Sequence, residues 1–165
     1  PPFVMSPRLL VCARVRHASD LPRLLQFVER QHYRSFHCLV EWLDAEPPAR
    51  RYAQVDLLPA GALDVTLRAT LDGSYAACGW VSPRHEYGPH YLRDLANAML
   101  YAPDVDGWAK ACASDAFDTG HRTWLSASLW RPDVFLSRWI SAPADVAIQD
   151  ARLFCIDTEE FTATD

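Results

Sequence analysis

The chain has 165 residues, half of them apolar, and a formal net charge of -5. That length fits a single domain over residues 1–165 with a real core and leaves little room for a second. The acidic balance argues against a nucleic-acid face, and no apolar run is long enough to span a membrane.

The opening PPFVMSP reads as a cut end or a linker remnant, so the chain reads as a possible fragment of something larger. RLLVCARV (8–15) is a short apolar run and predicts a buried strand. Ser19-Asp20 then offers a helix cap, and Leu21, Leu24, Leu25 and Val28 follow at helical spacing, with Pro22 tolerated in the first turn. FHCLVEWL (36–43) predicts the next strand, broken by EPPARR (46–51). Residues 61–72 predict a helix, with Leu63, Leu67 and Leu71 four apart and Asp72-Gly73 as its end. SYAACGWV (74–81) predicts a third strand. Gly88-Pro89 opens a helix carrying Tyr91, Leu92, Leu95, Ala96 and Met99 on one face. Residues 105–111 and 123–130 predict two further strands, Pro132 a short helix, and ARLFCIDT (151–158) a last strand. Strand and helix alternate in the first half, so the expected class is α/β, with a mostly parallel sheet and helices on both faces.

Five cysteines, Cys12, Cys38, Cys78, Cys112 and Cys155, are scattered without a CxxC pair. They read as reduced core thiols of a cytoplasmic protein, not as a zinc site. No signal peptide opens the chain. The chain lacks the GxGxxG of a dinucleotide fold, the Walker lysine loop and the GxSxG elbow of a hydrolase. The α/β pattern alone therefore supports no particular chemistry.

One stretch adds more. DGSYAACGWVSPRHEYGPHYLRDLANAMLYAP resembles the central region of inverting, nucleotide-sugar-dependent glycosyltransferases of the GT-A fold. Gly73 and Tyr75 keep the family's GxY before a strand, and Tyr87, Gly88, Pro89, Tyr91 and Leu92 keep the frame into the following helix. LLVCARVRHASDLPRLLQFVERQHYRSFHCLVEW is similar to the family's first strand, first helix and second strand, with Gln31 and Tyr33 where a short Qxy motif belongs. ARLFCIDTEEF is similar to a late strand. The resemblance covers most of the chain, in collinear order, and implies a shortened GT-A-like domain.

The resemblance also locates the departures. Relatives hold a divalent metal against the donor diphosphate with an acidic cluster of the DxDD type, because hard carboxylate oxygens suit such ions. Aligned on Tyr87-Gly88-Pro89, that cluster falls on Ser82, Pro83, Arg84 and His85. The polar residues expected after the first strand read Arg14-Val15-Arg16-His17, and an expected RN pair reads Asp64-Val65. Asp44, after the second strand, lies near the position of a base-contacting acid. Asp145 is the nearest candidate for a catalytic base, with no acid before it. No metal and no other cofactor is expected.

Each candidate has a plainer reading beside the functional one. Arg84 could pair with a diphosphate in place of the metal, or be a solvated loop arginine. His85 and His90 are five apart, which does not align them for a metal on one helical face. Glu86 is a surviving acid of the cluster or a favourable charge at a helix start. Asp145 is a general base or a helix cap. The six tryptophans could stack on sugars, although most should be core. The candidate nucleotide-sugar contacts are thus Asp44, Arg84, His85 and Glu86, with Asp145 as the catalytic candidate. The expected function is a glycosyltransferase-like module with an eroded donor site, serving assembly, regulation or binding in glycan or polysaccharide biosynthesis, with a glycan or nucleotide-sugar ligand and a protein partner or parent chain. The alternative is an active, metal-independent transferase.

Overall fold

The computed structural model describes residues 6–44, 46–71, 73–110, 123–148, 152–156 and 161–162. Its elements run β1 (Leu9–Val15), α1 (Asp20–Arg30), β2 (Phe36–Trp42), β3 (Val55–Pro59), α2 (Leu63–Thr70), β4 (Ala77–Trp80), β5 (Glu86–Tyr87), α3 (Tyr91–Tyr101), β6 (Gly107–Lys110), β7 (Thr123–Trp124), β8 (Ser128–Trp130), α4 (Pro132–Val134), β9 (Ala147–Ile148), β10 (Leu153–Ile156) and β11 (Phe161–Thr162). A 3-10 turn, Leu125–Ala127, joins β7 to β8, and a π turn, Phe135–Trp139, continues α4.

Seven strands form one sheet in the order β10-β6-β8-β4-β1-β2-β3. Strands β3, β2, β1 and β4 run parallel, as do β6 and β10. Only β8 runs antiparallel to its neighbours β4 and β6. Period-two alternation splits the strands between two cores. Leu9, Val11, Ala13 and Val15 of β1 pack with Leu24 and Phe27 of α1 and Leu92 and Leu95 of α3. Leu10 and Cys12 point the other way, toward Leu63 and Leu67 of α2 and toward Phe135. The expected mostly parallel sheet, covered by helices on both faces, is therefore present.

Some elements differ from expectation, each for a local reason. Strand β3 has no clear alternating pattern, because it is the sheet edge and only Val55 in it is fully buried. The run 123–130 is broken by its 3-10 turn, so its first part pairs with β9 in a separate two-stranded ribbon. Ser19 stands at the start of α1 without a side-chain capping bond. Met99 is only partly buried at the margin of its core. Asp72, Cys112 and residues 157–158 lie outside the described residues.

Two side chains show how the frame is tied. Gln31 is fully buried; its amide nitrogen donates to Gly88 O (2.8 Å) and its oxygen accepts from Leu92 N–H (3.1 Å). The end of α1 thus caps the start of α3 across the fold, satisfying a donor that a helix N-terminus leaves open. Gly79 lets β4 and β8 approach closely, since a Cβ there would sit 2.2 Å from Ser128 O. No helix among the described residues is long and apolar enough to cross a membrane.

Candidate functional site

The strand order reverses at β1: the chain passes outward through β2 and β3, then returns to the other side as β4. In open α/β sheets a ligand crevice lies at such a switch point, beyond the carboxyl ends of the strands. Here those ends are Arg14 to His17 at and beyond the end of β1, Leu43 and Asp44 after β2, and residues 81–85 after β4.

Arg14 and Glu41 dominate this edge. They are register partners on adjacent parallel strands, so their side chains leave the sheet on the same face. Arg14 Nε lies 3.2 Å from Glu41 Oε2, and its two terminal nitrogens donate to Ile140 O (3.0 Å) and Ala142 O (3.2 Å). Its guanidinium also lies 4.4 Å from the centre of the Trp80 ring. Glu41 is buried, and its second oxygen accepts from Gly61 N–H (2.9 Å) and Leu63 N–H (3.4 Å), at the start of α2. Trp80 completes the tie by donating from Nε1 to Trp139 O (2.9 Å). The segment 139–142 is thereby held over the ends of β1 and β4 by the crevice's own side chains.

The β4–β5 loop forms the neighbouring wall. Ser82 N–H donates to Tyr87 Oη (2.8 Å), and the Tyr87 and Tyr91 hydroxyls both donate to Ser126 O (3.0 and 3.3 Å). Burial pushes both phenols well above their ordinary range. Ser82 Oγ accepts from Arg84 N–H (3.3 Å), which shapes the turn that presents Arg84 to solvent.

The candidate residues distribute unevenly around this edge. His85 Nε2 and Asp145 Oδ1 are 3.2 Å apart, with the imidazole almost buried and the carboxylate 45% exposed. Burial holds His85 below its ordinary value, against the opposing pull of Asp145. Trp124 flanks the same imidazole, with ring centres 6.2 Å apart. Asp145 lies between Ala144 and Val146, whose carbonyls bond Ser126 and Leu125, in a tight turn closed by Val146 N–H to Pro143 O (3.2 Å) and not at a helix start. Asp44 and Glu86 are exposed, Glu86 on the short strand β5 beside Arg84. No described hydrogen bond or ion pair joins Asp44 to the His85–Asp145 pair.

Sequence reading placed Arg14 in this region but assigned it no role, and it passed over Glu41. Their signal was present: each is the sixth residue of a seven-residue, otherwise largely apolar strand, with opposite charge. A charge inside a buried strand implies a partner. Which partner depends on the strand register, which the sequence does not display.

No protein-family model matches the sequence, and no curated protein sequence matches it. The fold does match solved structures. S. aureus TarS 1–349 superposes with a TM-score of 0.64 at 11% identity, over 95% of this chain and 60% of that one. A TarS structure in complex with UDP-GlcNAc gives a TM-score of 0.61 at 10% identity, over 93% and 59% of the two chains. The mannosyltransferase PcManGT from Pyrobaculum calidifontis, in complex with GDP-Man and Mn²⁺, gives 0.56 at 16% identity, over 86% and 50%. The chain thus has a GT-A-like glycosyltransferase fold and spans little more than half the length of these structures.

The similar mannosyltransferase is in complex with Mn²⁺, and the described residues of the loop after β4 do not fit such an ion. The loop after β4 offers Ser82, Pro83, a cationic Arg84 and a histidine already engaged by Asp145. Among the described residues no three His, Cys, Asp or Glu side chains converge. A hard cation needs several oxygen ligands, preferably anionic, and one carboxylate next to a guanidinium does not supply them.

Proposed function

We propose that this chain is a glycosyltransferase-like module that does not turn over a donor sugar and acts as an assembly, regulatory or binding element in glycan synthesis. The observation that carries this reading is the Arg14 tie. Where the fold would admit a nucleotide, Arg14 instead stacks on Trp80 and holds the carbonyls of Ile140 and Ala142. The missing acidic cluster supports the same reading. The ligand class proposed for this binding role is a glycan, since the nucleotide sugars held by the similar structures would need the crevice that Arg14 ties shut, and a protein partner or a longer parent chain completes the proposal. A cytoplasmic setting fits the free thiols of Cys12, Cys38 and Cys78; burial pushes Cys38 up to about 12, which keeps it unreactive.

The test is a thermal melt with UDP, GDP, UDP-GlcNAc and GDP-Man, with and without Mn²⁺. A ligand bound only by the native state at a hundredfold excess over Kd stabilises it by about 2.7 kcal/mol, a shift easily seen. Unchanged melting at millimolar ligand is the expected result. A clear shift overturns the closed-crevice reading.

One observation favours a second reading, a metal-independent transferase. The His85–Asp145 contact orients an imidazole beside the exposed Arg84. A carboxylate-oriented imidazole suits a general base, and a guanidinium suits a diphosphate leaving group. Under this reading a nucleotide-sugar shift appears without Mn²⁺ and disappears in Arg84→Ala.

A further inference from the structure

We propose that the open edge of the sheet at β3 is a docking strand for an extended, acidic segment of a partner protein. The proposal concerns the lateral edge of the sheet, not the strand ends beneath the covering segment, and stands whichever reading of the crevice holds.

The edge is sterically and chemically prepared. Cys38 N–H bonds to Gln54 O (2.8 Å), which sets the phase of the β2–β3 ladder. In a parallel pair, alternate residues of a strand serve one neighbour. Asp56 and Leu58 therefore turn their amide groups toward β2, while Leu57 turns its N–H and C=O outward. Natural edge strands are usually covered, because such a row of groups invites another strand. Among the described residues no further strand pairs with β3. A turn at Tyr52 to Val55, in which Gln54 takes a φ of 61°, leads into β3. Residues 48–52 and β3 together line a cleft of about 450 Å³ whose walls include Pro48, Arg50, Arg51, Leu57 and Leu58.

Charge selects the occupant. Arg50 and Arg51 are exposed, and Asp56, the acid lining the cleft, is engaged by His37 Nε2 at 2.9 Å. The cleft is thus a basic spot on a chain of net charge -5. Half-buried Leu57 and Leu58 supply apolar walls for alternate side chains of an added strand. A peptide alternating apolar and acidic residues meets all three features at once: ladder groups, apolar walls and arginines. Nucleic acid would meet only the arginines, and the rest of the surface would repel it.

The test uses the full chain and a fluorescein-labelled peptide of alternating valine and glutamate, followed by anisotropy. Expected is saturable binding that weakens with salt and falls at least about tenfold in Arg50→Glu/Arg51→Glu, as truncated charge complementarity should. The same peptide N-methylated at every amide, which has no N–H left to donate to a ladder from either edge, should bind at least about tenfold more weakly. A valine–lysine peptide should not bind. These peptide-side changes keep the test decisive even if the double variant folds poorly. The proposal is overturned if the valine–glutamate peptide fails to saturate, if N-methylation leaves its affinity unchanged, or if a single-stranded oligodeoxynucleotide binds more tightly than the peptide.

Discussion

Replacing Arg14 with alanine should be among the more damaging single changes in this chain. The substitution removes the cation facing Glu41, two donors to the carbonyls of Ile140 and Ala142, and the stack on Trp80. Removing one partner of a buried ion pair costs about 3–5 kcal/mol, because the other charge stays buried. Glu41 is 8% exposed in its side chain, but Arg14 is 32% exposed, so solvent already screens part of the pair. Discounting for that leaves about 2 kcal/mol for the pair. The lost stack adds about 0.5–1 kcal/mol, and the two part-buried carbonyl bonds, at about 0.5 kcal/mol each, bring the total to about 3.5–4 kcal/mol. For a chain of this size each kcal/mol lowers Tm by about 2–4 °C, so melting should fall by roughly 10 °C. The assay is a double-mutant cycle of Arg14→Met, Glu41→Leu and their combination, read by circular dichroism melts. The double variant should be more stable than the sum of the singles implies, by at least about 1 kcal/mol, since neither charge is stranded. An Arg14→Ala melt within about 2 °C of the parent, or singles that simply add, would refute the idea that this pair holds the covering segment.

Two other consequences follow from the same geometry. Burial lowers His85 below its ordinary value, so the folded state resists its protonation while the unfolded state does not. The stability this provides is complete above the ordinary imidazole range and is lost as pH falls through the folded value. The advantage of the parent over His85→Gln in urea unfolding should therefore shrink from pH 7.5 to pH 5; an advantage that grows instead would mean that Asp145 holds the imidazole charged. Gly79→Ala drives a methyl group to 2.2 Å from the Ser128 carbonyl, where backbone must move. We expect a loss of about 3 kcal/mol or more, seen as a lowered urea midpoint or failure to accumulate as folded protein, and an unchanged midpoint would show that β4 and β8 can part at no cost.

The two cores of the sheet were legible from local pattern. Leu21, Leu24 and Val28 on α1, and Leu92 and Leu95 on α3, recur at the helical period because only one stripe of each helix faces the sheet. The buried runs of β1, β2 and β4 are apolar on both sides because helices cover both faces. Gln31 and the Tyr87-Gly88-Pro89 frame also announced themselves in the chain. Their physical role, one amide capping a helix at Leu92, sixty-one positions later, is visible only when α1 and α3 lie side by side.

The site is a different matter. Asp145 was noticed as an isolated acid, and His85 as a residue in the place of a metal ligand, and nothing in their spacing links them. Their 3.2 Å contact arises because the ribbon of β7 and β9 carries Asp145 back beside the β4–β5 loop. Likewise Arg14 and Glu41 meet through the parallel register of β1 and β2, and Arg14 reaches Ile140 and Ala142 across most of the chain. Hydrophobic periodicity is a local property of a segment that must bury one face, so the amino-acid order records it directly. Pairing between charges is a property of register and crossover, set by the packing of distant segments, and it exists only once the sheet has assembled.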